Sequence, residues 1–221
     1  MNSIKVLKIL LQFISSIAVI NGNLITLDGE CPFADLKPTP IAVVPVLKGK
    51  FNAIAETAQG GINRTDIAVT LKQVESDTVK ITDRFLSTET DECMEFLIYI
   101  TATDQLGVYK AQYQVAPDTN FVEYTAYFLA LDILTLRALA IICHNLPDSK
   151  YQVEIAVLSA LTSKYDEITQ KQVKKVLEDN NIGYLNEYLV EIERNDKCGF
   201  SPSEIIDSLL PSKDALLPGK S

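Results

Sequence analysis

The chain has 221 residues, a formal net charge of −9 and 47% hydrophobic residues. So apolar a composition excludes an intrinsically disordered chain. Its acidity argues against nucleic-acid binding and against a stable hold on an anionic membrane, since like charges repel.

The first eight residues carry Lys5 and Lys8 and no acid, and an apolar stretch from Ile9 to Ile20 follows, broken only by Gln12, Ser15 and Ser16. Turn formers Asn21, Gly22 and Asn23 come next. Basic start, short apolar run and small residues in that order predict a secretory signal peptide over residues 1–22, cleaved near Gly22. The run is too short to serve as a membrane anchor. The remainder is expected to form one secreted, extracellular domain over residues 23–200, with residues 201–221 as a C-terminal tail.

Four cysteines, Cys31, Cys93, Cys143 and Cys198, are an even number in a secreted chain and predict two disulfides. Their positions alone leave all three connectivities open. No two are spaced as a metal or redox pair, and His144 is the one histidine, so no metal, cofactor or histidine-based nucleophile is expected. No phosphate-binding loop occurs, and the chain is not expected to be an enzyme. Asn63-Arg64-Thr65 follows Gln59-Gly60-Gly61 and marks Asn63 as a glycosylation site in a loop.

From Lys50 to Ser159 apolar residues recur with a period of two. The predicted strands are Lys50–Thr57, Ile67–Leu71, Val79–Phe85, Met94–Ile100, Tyr109–Val115, Val122–Phe128, Leu134–Cys143 and Gln152–Ser159. Several are apolar on both faces, which suits a closed barrel with a greasy lumen and a covered outer wall rather than an open sheet with one wet face. The period then lengthens. Thr169 to Asn181 is predicted to be a helix, with Thr169 as N-cap, Gln172 as its box partner, and Val173, Val176 and Leu177 as its apolar stripe. A second short helix is expected over Leu185–Glu193, and Ser201 to Glu204 can cap a further turn or two.

This order resembles a lipocalin, specifically a divergent insect-type lipocalin similar to the Lazarillo, apolipoprotein D and bilin-binding protein group. The residues that carry the likeness are Cys31-Pro32 before Lys37-Pro38, Gly49-Lys50-Phe51 where the family has Gly-x-Trp, and Leu131-Asp132-Ile133 for its second motif. The helix around Lys174–Asn181, and Cys143 and Cys198, stand where relatives have them. The family motif positions are thus Gly49, Phe51 and Asp132. Ala160 replaces the family's arginine after the last strand, and the chain lacks tryptophan. The resemblance implies an eight-stranded antiparallel up-and-down β-barrel, or calyx, with a C-terminal α-helix packed outside. It also implies the pairs Cys31–Cys143 and Cys93–Cys198.

A calyx of eight strands holds side chains or one small ligand. Tyr99, Tyr113 and Tyr124 lie on strands with Phe128 nearby, and tyrosine offers an apolar body with a polar tip. Family parity on the last strand aims Glu154 and Ala156 inward, with Ala156 in place of a pocket tryptophan. The expected ligand-binding set is therefore Tyr99, Tyr113, Tyr124, Phe128, Glu154 and Ala156. The partner would be a small hydrophobic molecule: a fatty acid, sterol, retinoid, pheromone or tetrapyrrole. The alternative is a protein-binding lipocalin that meets a receptor through its loops, with a degenerate pocket.

Overall fold

A strand that is apolar on both faces must be covered on both faces, and a closed barrel with an outer layer does this. The structure is a computed structural model that describes residues 24–40, 48–58, 64–114, 122–132 and 134–209. The predicted leader, Asn63 and the last part of the predicted tail lie outside these residues.

The strands are β1 (Ile25–Asp28), β2 (Gly49–Thr57), β3 (Arg64–Gln73), β4 (Thr78–Ser87) and β5 (Cys93–Ala102). β6 (Val108–Gln114), β7 (Val122–Asp132), β8 (Arg137–Leu146), β9 (Lys150–Ser159) and β10 (Leu189–Glu191) complete the sheet. From β2 to β9 each strand pairs antiparallel with the next, and β9 pairs back onto β2 to close an eight-stranded barrel. β1 extends the sheet beside β9, and β10 lies against the second half of β2.

Two apolar clusters result. The inner one holds Phe51, Val69, Leu71, Ile98, Ile100, Tyr109, Ala111, Ala126 and Phe128. The outer one joins Leu139, Ile141, Ile155 and Val157 to Val173 and Leu177 of α1 (Glu167–Asp179) and to Leu185. The amphipathic helix covers the outer wall, as its apolar stripe requires. Among the described residues no helix is long and apolar enough to cross a membrane.

Both disulfides pair as the resemblance implies. Cys31 joins Cys143 with Cα atoms 6.0 Å apart, and Cys93 joins Cys198 with Cα atoms 5.7 Å apart. The first ties the N-terminal segment to β8, and the second ties the start of β5 to the C-terminal segment.

Several local expectations are corrected. The helix cap is Asp166, whose Oδ1 accepts from the backbone N–H of Thr169 at 2.8 Å. Thr169 is the capped residue, buried in the first turn, because the carboxylate two residues after Lys164 lies one turn upstream and is the stronger acceptor. The expected strand at Leu134 begins three residues later, at Arg137. Asp132 accepts from the backbone N–H groups of Leu134 and Thr135 at 2.9 and 3.1 Å and holds those residues in a turn. The expected helix over Leu185–Glu193 is instead a 3-10 helix, Gly183–Tyr188, followed by β10. Ladder bonds to β2 satisfy this backbone: Ala58 N–H donates to Tyr188 O at 2.9 Å, and Ile192 N–H to Ile54 O at 3.1 Å.

Beyond Cys198 the chain forms α2 (Pro202–Leu209). Ser201 and Glu204 make a reciprocal capping box, Ser201 N–H to Glu204 Oε2 at 2.9 Å and Glu204 N–H to Ser201 Oγ at 3.3 Å. Ile205 of this helix is buried in the inner cluster, and Ser208 Oγ accepts from Lys50 N–H at 2.8 Å. Gly49 is needed here: its φ is +115°, and a Cβ would stand 2.9 Å from Ser208 Oγ.

Candidate functional site

The inner faces of β2 to β9 line a mainly apolar cavity of about 80 Å³. Its walls are aliphatic and aromatic, with Leu71, Ile100, Ala126 and Phe128 among them, and three carboxylates, Glu56, Asp83 and Glu154, also line it.

Each predicted ligand residue has a definite place. Tyr113, Phe128, Glu154 and Ala156 line the cavity. Tyr124 is buried in the same inner cluster, its ring edge-on to that of Tyr113 with centroids 5.1 Å apart. Tyr99 does not join them. It alternates with Ile98 and Ile100, which face inward, and pairs with Lys80 and Gln112, so its side chain is on the outer face. Phe51 is fully buried in the inner cluster, while Asp132 is exposed at a turn. The hydrogen bonds that Asp132 receives from Thr135 and Leu134 hold its carboxyl below the usual range.

An ionic cluster that sequence reasoning missed sits against the cavity. Arg64 Nη1 donates to Asp83 Oδ2 at 2.9 Å, and Nη2 donates to Glu56 Oε2 at 3.0 Å and to Glu154 Oε1 at 3.3 Å. The guanidinium also stands 5.3 Å from the centroid of the Phe85 ring. Arg64, Glu56 and Asp83 are each no more than 7% exposed.

Two β-bulges put these groups inside. On β2, Phe51 and Ala53 face the lumen, and strict alternation would turn Glu56 outward. The register with β9 shifts between Ala53 and Ala55, Ile54 and Ala55 both face the outer cluster, and Glu56 turns in. On β3, Ile67, Val69 and Leu71 face inward, and alternation would turn Arg64 out. The register with β4 shifts between Thr65 and Ala68, where Asp66 has φ +53°, and Arg64 turns in. Only an alternation break at charged residues in otherwise apolar strands could have signalled this.

Burial dominates the titration of the cluster. It pushes Glu56 up to about 8, against the lowering effect of Arg64. Asp83 and Glu154 are raised for the same reason. Tyr113 is raised by burial and then by the charge of Glu154. Among the described residues no group of three His, Cys, Asp or Glu side chains is placed to hold a metal ion. Asp91 and Glu92 are exposed at the β4–β5 turn, where Asp91 pairs with Lys197 at 2.7 Å. They form a solvated strand end.

No protein-family model and no curated protein matches the sequence. Solved structures do match the fold. Insecticyanin from the tobacco hornworm Manduca sexta aligns with a TM-score of 0.59 at 20% identity, over 80% of this chain and 93% of its own. Lobster apocrustacyanin A1 gives 0.57 at 9% identity, over 78% and 93%. The siderocalin Ex-FABP, described as functioning through dual ligand specificities, gives 0.52 at 12% identity, over 70% and 98%. The closed eight-stranded barrel with a C-terminal helix on its wall is the lipocalin fold.

Proposed function

We propose that this chain is a secreted carrier that holds a small hydrophobic ligand inside its barrel. The observation that carries the reading is the cavity, whose walls are apolar apart from one ionic cluster. Burying a ligand there stabilises the complex by roughly 25 cal/mol per Å² of apolar area, less the ordering costs. A cavity of about 80 Å³ suits a slim molecule or an alkyl chain. Sterols and tetrapyrroles need more room, since sites for drug-sized ligands run to roughly 300–1,000 Å³. The role is binding rather than catalysis.

Secretion is part of the same reading. The basic, apolar and small-residue order of residues 1–22 supports export, and the two disulfides are at home in an oxidising compartment. Asn63 would then carry a glycan.

Organic extraction of the native protein, with native mass spectrometry beside it, tests the carrier role. A co-purifying lipophilic molecule of small mass is the expected result. An empty extract, together with no binding across a panel of lipophilic probes, would overturn it in favour of a loop-borne protein partner.

A further inference from the structure

Resting on the carrier reading, we propose that the preferred ligand is a small amphipathic amine, its apolar body in the cavity and its ammonium group against Asp83 and Glu154. Three carboxyl groups from β2, β4 and β9 surround one guanidinium, so among the described ion pairs of this cluster acids outnumber the cation. An excess of buried charge is costly unless a cation or a proton offsets it.

Independently of the count, Asp83 is 7% exposed and lines the cavity, and its Oδ1 has no hydrogen-bond partner among the described residues. A buried carboxylate oxygen left in that state asks for a donor from the cavity side. An ammonium group supplies both the donor and the charge, and bonds of this kind are about twice as strong as neutral ones.

Other head groups fit less well. Arg64 Nε also lacks a partner among the described residues, but an anionic head placed there would add a fourth acidic group beside three carboxyls. A metal ion would need converging free oxygens, and Arg64 already engages one oxygen of each carboxylate.

The test is isothermal titration of the full disulfide-bonded chain with propylamine, propanol and butanoate, which share a propyl body. The amine should bind about tenfold or more tighter than the alcohol, a gap of about 1.4 kcal/mol, with the acid weakest. Asp83→Asn and Glu154→Gln should each narrow the amine-to-alcohol ratio severalfold. If one variant fails to fold, the other is read in the same way. Binding of the alcohol or the acid as tight as that of the amine overturns this proposal and leaves the carrier role standing. An amine preference that survives both substitutions overturns the assignment to these carboxylates. No binding by any of the three overturns the carrier role itself.

Discussion

Arg194 Nε lies 3.2 Å from Oδ1 of Asp66, a carboxylate with no solvent exposure. Arg194 Nη1 donates to Asn52 Oδ1 at 2.6 Å, and the backbone N–H groups of Cys198 and Gly199 both donate to Asp66 Oδ2. Asp66 N–H donates in turn to Glu193 O at 2.8 Å. The bulge that aims Arg64 into the lumen is thus the point where the C-terminal segment is fastened to the barrel. Asp66→Ala leaves the half-buried Arg194 with Asn52 and Asp196 and strips two backbone N–H groups of their acceptor, so a loss of about 1–3 kcal/mol is expected in urea unfolding. Asp66→Asn should lose less, because asparagine tolerates positive φ and keeps an acceptor. A loss under about 1 kcal/mol for the alanine variant would contradict the role given to this pair.

Arg64 compensates three buried carboxyl groups, so Arg64→Leu should cost about 3–5 kcal/mol at pH 9, where Glu56 is ionised. The cost should shrink at pH 6, where Glu56 holds its proton. Thermal unfolding of both proteins at the two pH values checks this, and an equal penalty at both would argue against the ionic cluster as its source.

Glu56 gives the pH dependence its sign. Its folded value, about 8, lies above the ordinary 4.5, so the folded state holds a proton that the unfolded state has lost across that window. Asp83 and Glu154 are displaced in the same direction, while Arg64 stays charged and Tyr113 stays neutral. Stability should therefore be fully present below about pH 4.5 as far as this group is concerned, and fall as pH rises towards 8, with a slope of up to about 1.4 kcal/mol per pH unit for one proton. Glu56→Gln should flatten the slope in a series of denaturant titrations. An unchanged slope would assign the titration to another group.

Ala156 leaves room in the cavity. Ala156→Leu should fill much of about 80 Å³ and weaken lipophilic probe binding by about tenfold or more, with the unfolding temperature within a few degrees of the parent's. Unaltered probe affinity would place the binding site elsewhere.

Each disulfide closes a long loop, with sequence separations of 112 and 105. Replacing either pair by alanine should cost about 2–5 kcal/mol. A thiol reagent should find no reactive cysteine in the denatured, unreduced protein. Reactive thiol in that assay would show that a pair is open.

Much of the barrel could be read in the residues themselves. Alternation at Val69 and Leu71, Ile98 and Ile100, and Tyr124 and Ala126 reflects the two-residue pleat, a local property of any strand. The stripe Val173 and Leu177 reflects the helical turn, also local. The cysteine pairs and the inward parity of Glu154 and Ala156 came instead through the resemblance. Tyr99 shows where local pattern stops. It reads like Tyr113, yet the two stand on opposite faces, because the register sets Ile98 rather than Tyr99 beside Tyr113. Register is a property of two strands together. β10 is similar: Leu189-Val190-Glu191 has no strong bias of its own, and becomes a strand because the second half of β2 has free backbone groups beside it.

The composition and alternation of the chain determined a closed, two-faced β-structure with a helix to cover it, since burying apolar residues on both faces admits few other solutions. Only the tertiary structure decided which charges lie within. A bulge shifts every later side chain by one position, and the bulges at Ile54 and Asp66 exist because neighbouring strands and the returning C-terminal segment bend the backbone there. That displacement turned Glu56 from an outer-wall residue into part of the polar wall of the cavity, and turned Arg64 in to meet it.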